Sequence, residues 1–207
     1  MDGTLVDSEK VWEVALLELA ASYGGTLSAA ARRAMVGTST AESMAILLAD
    51  LGQPWRDADA AGAWLTDRVA DLFADGLQWR PGASALLGAV RAAGIPTALV
   101  TSTDRRLVDL ALTMLGPENF DVVVCGDEVP ATKPDPAPYV AAARLLGVPP
   151  HACVAVEDSP TGVASAVAAG VPVVAVPCEV ALPPQPGVLL LDTLANVDLA
   201  LLASIMQ

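Results

Sequence analysis

Basic and aromatic residues are both scarce in this 207-residue chain. Eleven Lys and Arg stand against 24 Asp and Glu, so the formal net charge is −13 at pH 7, and aromatic residues make up only 4%. A nucleic-acid-binding surface needs clustered cations, whereas these are scattered, so we predict no nucleic-acid partner. Hydrophobic residues make up 54% of the chain, and most of them are Ala, Val and Leu. We therefore expect a globular protein rich in alanine-lined helices.

Long apolar runs are absent, and the cysteines are few and odd in number. No apolar run approaches the about 20 residues that a membrane-spanning helix needs, and no charged-then-apolar leader opens the sequence. We therefore predict a soluble, cytoplasmic protein with no membrane partner, and a monomer with a dimer as the alternative. Cys125, Cys153 and Cys178 are predicted to be reduced thiols without a catalytic role.

The part of the chain from about Pro81 onward alternates short β-branched runs with alanine-rich helical stretches. This is the pattern of a parallel sheet with helices on its faces. Each helical stretch is followed by a glycine, which can take the left-handed conformation that stops a helix. The predicted strands are 97–100, 122–125, 153–156 and 173–176, and the predicted helices are 84–93, 104–115, 138–146 and 161–169.

Residues 9–79, here called the helical insert, show helical periodicity over 11–23, 40–51 and 60–73 and no convincing strand. Three of the four tryptophans, Trp12, Trp55 and Trp64, lie inside it, and Trp79 is its last residue. We expect the first three to form its core. The chain is thereby divided into an α/β core of residues 1–8 and 80–207 and the helical insert between them.

Four short polar segments fall at the carboxyl ends of predicted strands or in the loops between them, where open α/β sheets bind ligands. They are Asp2-Gly3-Thr4-Leu5, Thr101-Ser102, Lys133-Pro134 and Glu157-Asp158. Adjacent carboxylates supply the hard oxygen ligands that Mg²⁺ prefers. A lysine and a threonine hydroxyl can neutralise and orient a phosphoryl group, which is most of what phosphoryl transfer demands.

In order and spacing, these segments resemble the four motifs of the haloacid dehalogenase-like superfamily. The stretch Val156-Glu-Asp-Ser-Pro-Thr-Gly-Val163 is similar to the branch that contains β-phosphoglucomutase and phosphoglycolate phosphatase. The resemblance covers essentially the whole chain. It implies a Rossmann-like parallel-sheet core with an inserted α-helical cap. It also implies a Mg²⁺-dependent phosphatase that hydrolyses a small phosphate monoester, of the sugar phosphate or phosphoglycolate type, through an aspartyl-phosphate.

The resemblance also implies a role for individual residues. Asp2 would act as the general acid/base, and its backbone carbonyl would bind Mg²⁺ together with Glu157 and Asp158. Thr101 and Lys133 would contact the phosphoryl group and support its transfer. The remaining substrate contacts would come from the first loop, from the residue after Thr101 and from a loop of the cap, namely Gly3, Ser102, Gly37, Thr38 and Ser39.

The first motif of this superfamily begins with a nucleophilic aspartate two residues before the general acid/base, a position that falls just before Met1. We therefore expect residues upstream of Met1 to supply this aspartate and the apolar strand that delivers the Asp2 loop to the sheet. The intact mass of the native protein checks this expectation.

Three alternatives stay open. The mutase of this branch has an arginine shortly after the glycine that corresponds to Gly37, whereas this chain has Thr38-Ser39-Thr40, which favours hydrolysis over a phosphomutase. A dehalogenase is less favoured, because the dehalogenases do not use Mg²⁺ whereas the Glu157-Asp158 pair indicates a Mg²⁺ site. A non-catalytic ligand-binding or interaction protein is the alternative if the protein has no nucleophile.

Overall fold

The helical insert forms four helices in the computed structural model, which describes residues 1–74 and 76–206. They are α1 (Glu9–Ser22), α2 (Ala29–Ala34), α3 (Thr40–Asp50) and α4 (Ala58–Ala74). α4 packs against both α1 and α3. Its buried Leu65, Val69 and Phe73 recur every four residues and so share one helix face. Three of these helices match the predicted stretches, and α2 is an addition.

The tryptophan prediction was wrong for two of the three residues. Trp55 is 77% exposed and Trp64 is 40% exposed. The interior of the insert is made instead by aliphatic side chains of α1, α3 and α4 together with Met44 and Phe73, which leaves the rings of Trp55 and Trp64 on the outer surface. Trp12, which is partly buried, contacts the candidate active site described below.

The α/β core alternates helices and short parallel strands, which confirms the predicted fold class. After α5 (Ala83–Ala92), the strands are β1 (Ala98–Val100), β2 (Val122–Val124), β3 (Ala155–Glu157), β4 (Val173–Ala175) and β5 (Val188–Leu190). The helices between and after them are α6 (Arg105–Leu115), α7 (Ala137–Leu146), α8 (Pro160–Ala168) and α9 (Leu199–Ser204). β5 was not predicted, because three residues after a proline-rich segment give too little pattern.

The glycines predicted to stop helices all adopt the left-handed region. Gly94, Gly116, Gly147 and Gly170 have φ values of 69°, 79°, 73° and 75°. Each follows a helix whose position the sequence predicted to within a residue or two. Within the described part of the chain, no helix combines the length and the apolar character required to cross a bilayer.

The strands form two parallel sheets, one with the order β1-β2 and one with the order β3-β4-β5. An apolar cavity of about 380 Å³ is lined by residues of both β1 and β3. Helices α5, α7 and α9 cover it with Leu86, Val90, Ala142 and Leu202. Val100 and Val156 line both this cavity and the polar cleft at the carboxyl ends of the two strands, so they separate an apolar interior from a polar site.

Candidate active site

One cleft brings the predicted segments together. It lies where the loops after β1 and β3 meet the first loop of the chain and the start of the helical insert. The carboxyl ends of β1 and β3, one from each sheet, both reach this cleft, which is why segments so distant in sequence converge here. The polar side chains that line the cleft include Asp2, Thr4, Glu9, Trp12, Arg32, Thr38, Thr101, Ser102, Lys133, Glu157 and Asp158.

Three donors fix the carboxylate of Asp2. Ser8 Oγ donates to Asp2 Oδ1 at 2.5 Å, Trp12 Nε1 donates to the same oxygen at 3.1 Å, and Thr103 Oγ1 donates to Asp2 Oδ2 at 2.7 Å. Trp12 belongs to α1 of the insert, whereas Thr103 follows β1 of the core. The orientation of Asp2 therefore depends on both parts of the chain. Neither Trp12 nor Thr103 was predicted from sequence.

Gly3 lets the first loop pack directly on Asp158. Its φ of 65° is in the left-handed region, and a Cβ at this position would lie 2.1 Å from Asp158 Oδ2. The neighbouring Thr4 Oγ1 donates to Asp158 Oδ1 at 2.7 Å. Gly3 is thus required by the backbone and by the close carboxylate, and it does not itself line the cleft.

Lys133 and Glu157 form a buried ion pair. Lys133 Nζ donates to Glu157 Oε1 at 2.5 Å and to the Val100 carbonyl at 3.1 Å, and the two side chains are 8% and 4% exposed. The Tyr139 hydroxyl donates to the same Glu157 oxygen. Burial alone would raise the pKa of Glu157, but the charge and hydrogen bond of Lys133 outweigh it and lower that pKa. Burial and the Glu157 charge raise the pKa of Tyr139 well above its usual value, so it remains a donor.

Asp158 is the predicted metal ligand that the structure leaves without a cationic partner. Burial, and then the charge of Glu157, raise its pKa to about 6. No salt bridge reaches Asp158 within the described part of the chain. Possible ligand atoms of Glu9, Asp158 and Cys178 lie within 4.8 Å of one another. A divalent cation beside Asp158 would fit this site because it would neutralise the buried carboxylate.

The two predicted metal ligands Glu157 and Asp158 have different side-chain neighbours. Glu157 is occupied by Lys133 and Tyr139, while Asp158 groups with Glu9, a residue that the sequence interpretation missed. Burial, followed by the charge of Glu179, raises the pKa of Glu9 to about 8. Burial raises the pKa of the Cys178 thiol to about 11, so it stays protonated at neutral pH and is a poor ligand for a hard cation.

Thr101 and Ser102 follow β1 at the cleft floor. The Thr101 hydroxyl oxygen accepts a hydrogen bond from the Thr103 amide at 3.2 Å, so its O–H can donate to a ligand oxygen. Ser102 Oγ instead donates to the Gly37 carbonyl at 3.2 Å. Of these two predicted substrate contacts, only Thr101 has a hydroxyl proton with no acceptor within the described part of the chain.

The loop 37–39 lies within the helical insert, between α2 and α3, and is hydrogen-bonded to the α/β core. The Gly37 carbonyl accepts from Thr161 Oγ1 at 3.0 Å as well as from Ser102, and a Cβ on Gly37 would lie 2.3 Å from that Thr161 oxygen. Thr38 lines the cleft, with Oγ1 donating to the Met35 carbonyl at 2.9 Å. Ser39 does not line it, because it forms a capping box with Glu42 at the start of α3.

We expect Ser39→Ala to lower stability and to leave substrate selection unchanged. Loss of an N-cap hydroxyl costs about 1 kcal/mol. Urea unfolding would measure that loss, and kcat/KM for two different phosphate esters should keep the wild-type ratio. Thr38→Ala is the matched comparison, since its hydroxyl lines the cleft. A change of substrate preference in Ser39→Ala would contradict this assignment.

Comparisons with known proteins establish the family. A model of the haloacid dehalogenase-like hydrolases matches residues 1–170. Protein CbbY of Rhodobacter capsulatus is 38% identical, over 86% of this chain and 83% of that protein. Hexitol phosphatase A of Escherichia coli is 34% identical, over 85% of this chain and 80% of that protein.

Two solved structures of CbbY from Rhodobacter sphaeroides share the fold. The complex with phosphate has a TM-score of 0.87 at 30% identity and covers 98% of this chain and 96% of that chain. A mutant in complex with xylulose-(1,5)bisphosphate has a TM-score of 0.85 at 29% identity, with the same coverage. The chain therefore belongs to the haloacid dehalogenase-like hydrolases, and the predicted family, α/β fold and enzyme class are confirmed.

Proposed function

We propose that this protein is a Mg²⁺-dependent phosphatase that hydrolyses a small phosphate monoester. The observation that carries the proposal is the single cleft that combines Asp2, Thr101, Lys133 and Asp158. Phosphatases of this family generally use a divalent metal, and the hard carboxylate set favours Mg²⁺. Hexitol phosphatase A and the phosphate-bound CbbY support a phosphorylated substrate.

The residues of the cleft divide the chemistry between them. Lys133 and the Thr101 hydroxyl would hold the phosphoryl oxygens and offset their negative charge. Asp158 and the Asp2 backbone carbonyl would hold the cation, which supplies further charge neutralisation when bound. The carboxyl group of Asp2, in its protonated form, would give its proton to the leaving oxygen, and the carboxylate that remains would then take a proton from the attacking water. The aspartyl-phosphate route stays a prediction, because its nucleophile is the aspartate that the resemblance places before Met1.

A bisphosphate substrate is the second candidate. The complex of a CbbY mutant with xylulose-(1,5)bisphosphate suggests it. Thr38-Ser39-Thr40 still provides no arginine after Gly37, so a phosphomutase remains the less favoured enzyme.

Phosphate release by the native protein tests the proposal. A panel of sugar phosphates, phosphoglycolate, bisphosphates and haloacids would be assayed with Mg²⁺, with a chelator, and after Mg²⁺ is restored. We expect the protein to release phosphate from monoesters. The chelator should abolish this release, and added Mg²⁺ should restore it. Chelator-resistant release, halide release, or inactivity on every ester would contradict it. The cytoplasmic location and the monomeric state stay predictions, which fractionation and light scattering would check.

A further inference from the structure

A charged cluster that this chemistry does not use lies on the helical-insert side of the cleft. Arg32 Nη2, on α2, donates to Glu9 Oε2 at 2.9 Å and to Glu179 Oε1 at 2.8 Å. Glu9 is the first residue of α1, and Glu179 lies in the loop after β4. Glu9 and Arg32 both line the cleft, and their side chains are each only 14% exposed.

One N–H donor of the Arg32 guanidinium is buried and has no acceptor within the described part of the chain. This donor is the Nε–H group. Both glutamates bind Nη2, so the Nε–H group still needs an acceptor. A ligand atom beside it that also contacts a glutamate must accept from Nε and donate to a carboxylate. A hydroxyl group can do both, whereas a phosphate oxygen at neutral pH mainly accepts.

The charge of the cluster opposes a second phosphate. Two glutamates already occupy Arg32 Nη2, so the cluster has no net positive charge to offer a second phosphate. Lys133, another cation of the cleft, is already paired with Glu157. A second phosphate at Arg32 would therefore have to displace a carboxylate or lie beside it, and like charges in contact are costly.

We propose that Glu9 and Arg32, held by Glu179, form a subsite for the uncharged, hydroxyl-bearing part of the substrate. This subsite selects sugar or polyol monophosphates over bisphosphates. The proposal rests on the phosphatase function and specifies its substrate class. Glu179 is a positioning residue, because its carboxylate neutralises the charge of Arg32. Glu9 and Arg32 are the groups that contact substrate hydroxyls.

Three esters separate the contributions of charge and hydroxyl groups. Fructose 6-phosphate, fructose 1,6-bisphosphate and phenyl phosphate would be compared by kcat/KM with the native protein. We expect fructose 6-phosphate to exceed each of the other two by about tenfold or more, because a site built for hydroxyls rejects ligands that lack them or add charge.

Two variants test whether Glu179 and Arg32 cause this substrate preference. Glu179→Gln leaves Arg32 with one carboxylate fewer, and should raise the bisphosphate-to-monophosphate ratio of kcat/KM by about tenfold. Arg32→Met should lower the preference for fructose 6-phosphate over phenyl phosphate by about tenfold. The controls are Glu13→Gln and Arg33→Met, which make the same charge changes at exposed positions outside the cleft. Both controls should keep the wild-type ratios.

The outcomes distinguish a substrate subsite from a cluster with a purely structural role, and both of these from failure of the phosphatase proposal. If the cluster only joined the insert to the core, Glu179→Gln would change kcat and KM for all esters together and keep their ratios, which would overturn the proposal. A wild-type preference for the bisphosphate would do the same. Inactivity on these three esters and on every ester of the wider panel would refute the phosphatase function. Calorimetric binding of the two fructose phosphates to wild type and Glu179→Gln would then still decide the selectivity.

Discussion

Lys133→Met is expected to lose both stability and activity. The substitution leaves Glu157 buried with Tyr139 as its remaining side-chain partner, and breaking a buried ion pair costs about 3–5 kcal/mol. We also expect kcat/KM for a phosphate monoester to fall about 100- to 1,000-fold, because a preorganised cation at the phosphoryl group is lost. Urea unfolding and phosphate-release kinetics would measure the two effects on the same preparation.

The double variant Lys133→Met, Glu157→Gln separates these effects. With both charges removed, no unpaired ion remains in the interior, so much of the lost stability should return. Activity should not return, because the cation is still missing. Arg91→Met breaks the more exposed pair with Asp121 and should cost only about 0–1 kcal/mol. Recovery of activity in the double variant would show that Lys133 acts only by stabilising Glu157.

Much of the site could be predicted because each motif depends on a local pattern. A β-branched run that ends in polar residues identifies a strand and its carboxyl end, so Thr101 and Glu157-Asp158 could be placed at the carboxyl ends of strands. Lys133 is followed by Pro134, Asp135 and Pro136, which mark the loop that leads into α7. These features need no knowledge of tertiary contacts.

The different side-chain partners of Glu157 and Asp158 are consistent with strand geometry. Successive side chains at the end of a strand point to opposite faces, so two adjacent carboxylates meet different parts of the protein. Glu157, the last residue of β3, meets Lys133 and Tyr139, and Asp158 meets Thr4 of the first loop. The alternation was visible in the sequence, but the partner on each face was not.

Other contacts of the cleft had no signal in the sequence. Arg32 belongs to a six-residue helix, which is too short to show a period, and its partners are 23 and 147 residues away. Trp12 was assigned to the interior because large rings are commonly buried, yet its N–H group needs a polar partner and finds Asp2. Such long-range pairings arise from tertiary packing and not from local pattern.

Asp158→Asn is expected to stabilise the metal-free protein at neutral pH while removing metal-dependent activity. Burial raises the pKa of Asp158 to about 6 in the folded state. A carboxyl group with a raised folded-state pKa gives its full contribution to stability below its unfolded pKa of about 4 and loses it as pH rises through the folded value. Above about pH 6 the wild type therefore carries a cost on the order of 2–3 kcal/mol that asparagine avoids.

The measurement is the free energy of unfolding of Asp158→Asn and wild type between pH 4 and 8, with a chelator and with saturating Mg²⁺. Without metal, the advantage of the variant should grow as pH rises through about 6. With Mg²⁺ the wild type should recover, because binding to the native state alone stabilises it, whereas the variant should gain little. The kcat/KM of the variant should fall about 100-fold or more. Asp192→Asn, at an exposed position, should show none of these changes. An advantage that is independent of pH, or equal stabilisation of both proteins by Mg²⁺, would refute the assignment of Asp158 as the buried ligand for the cation.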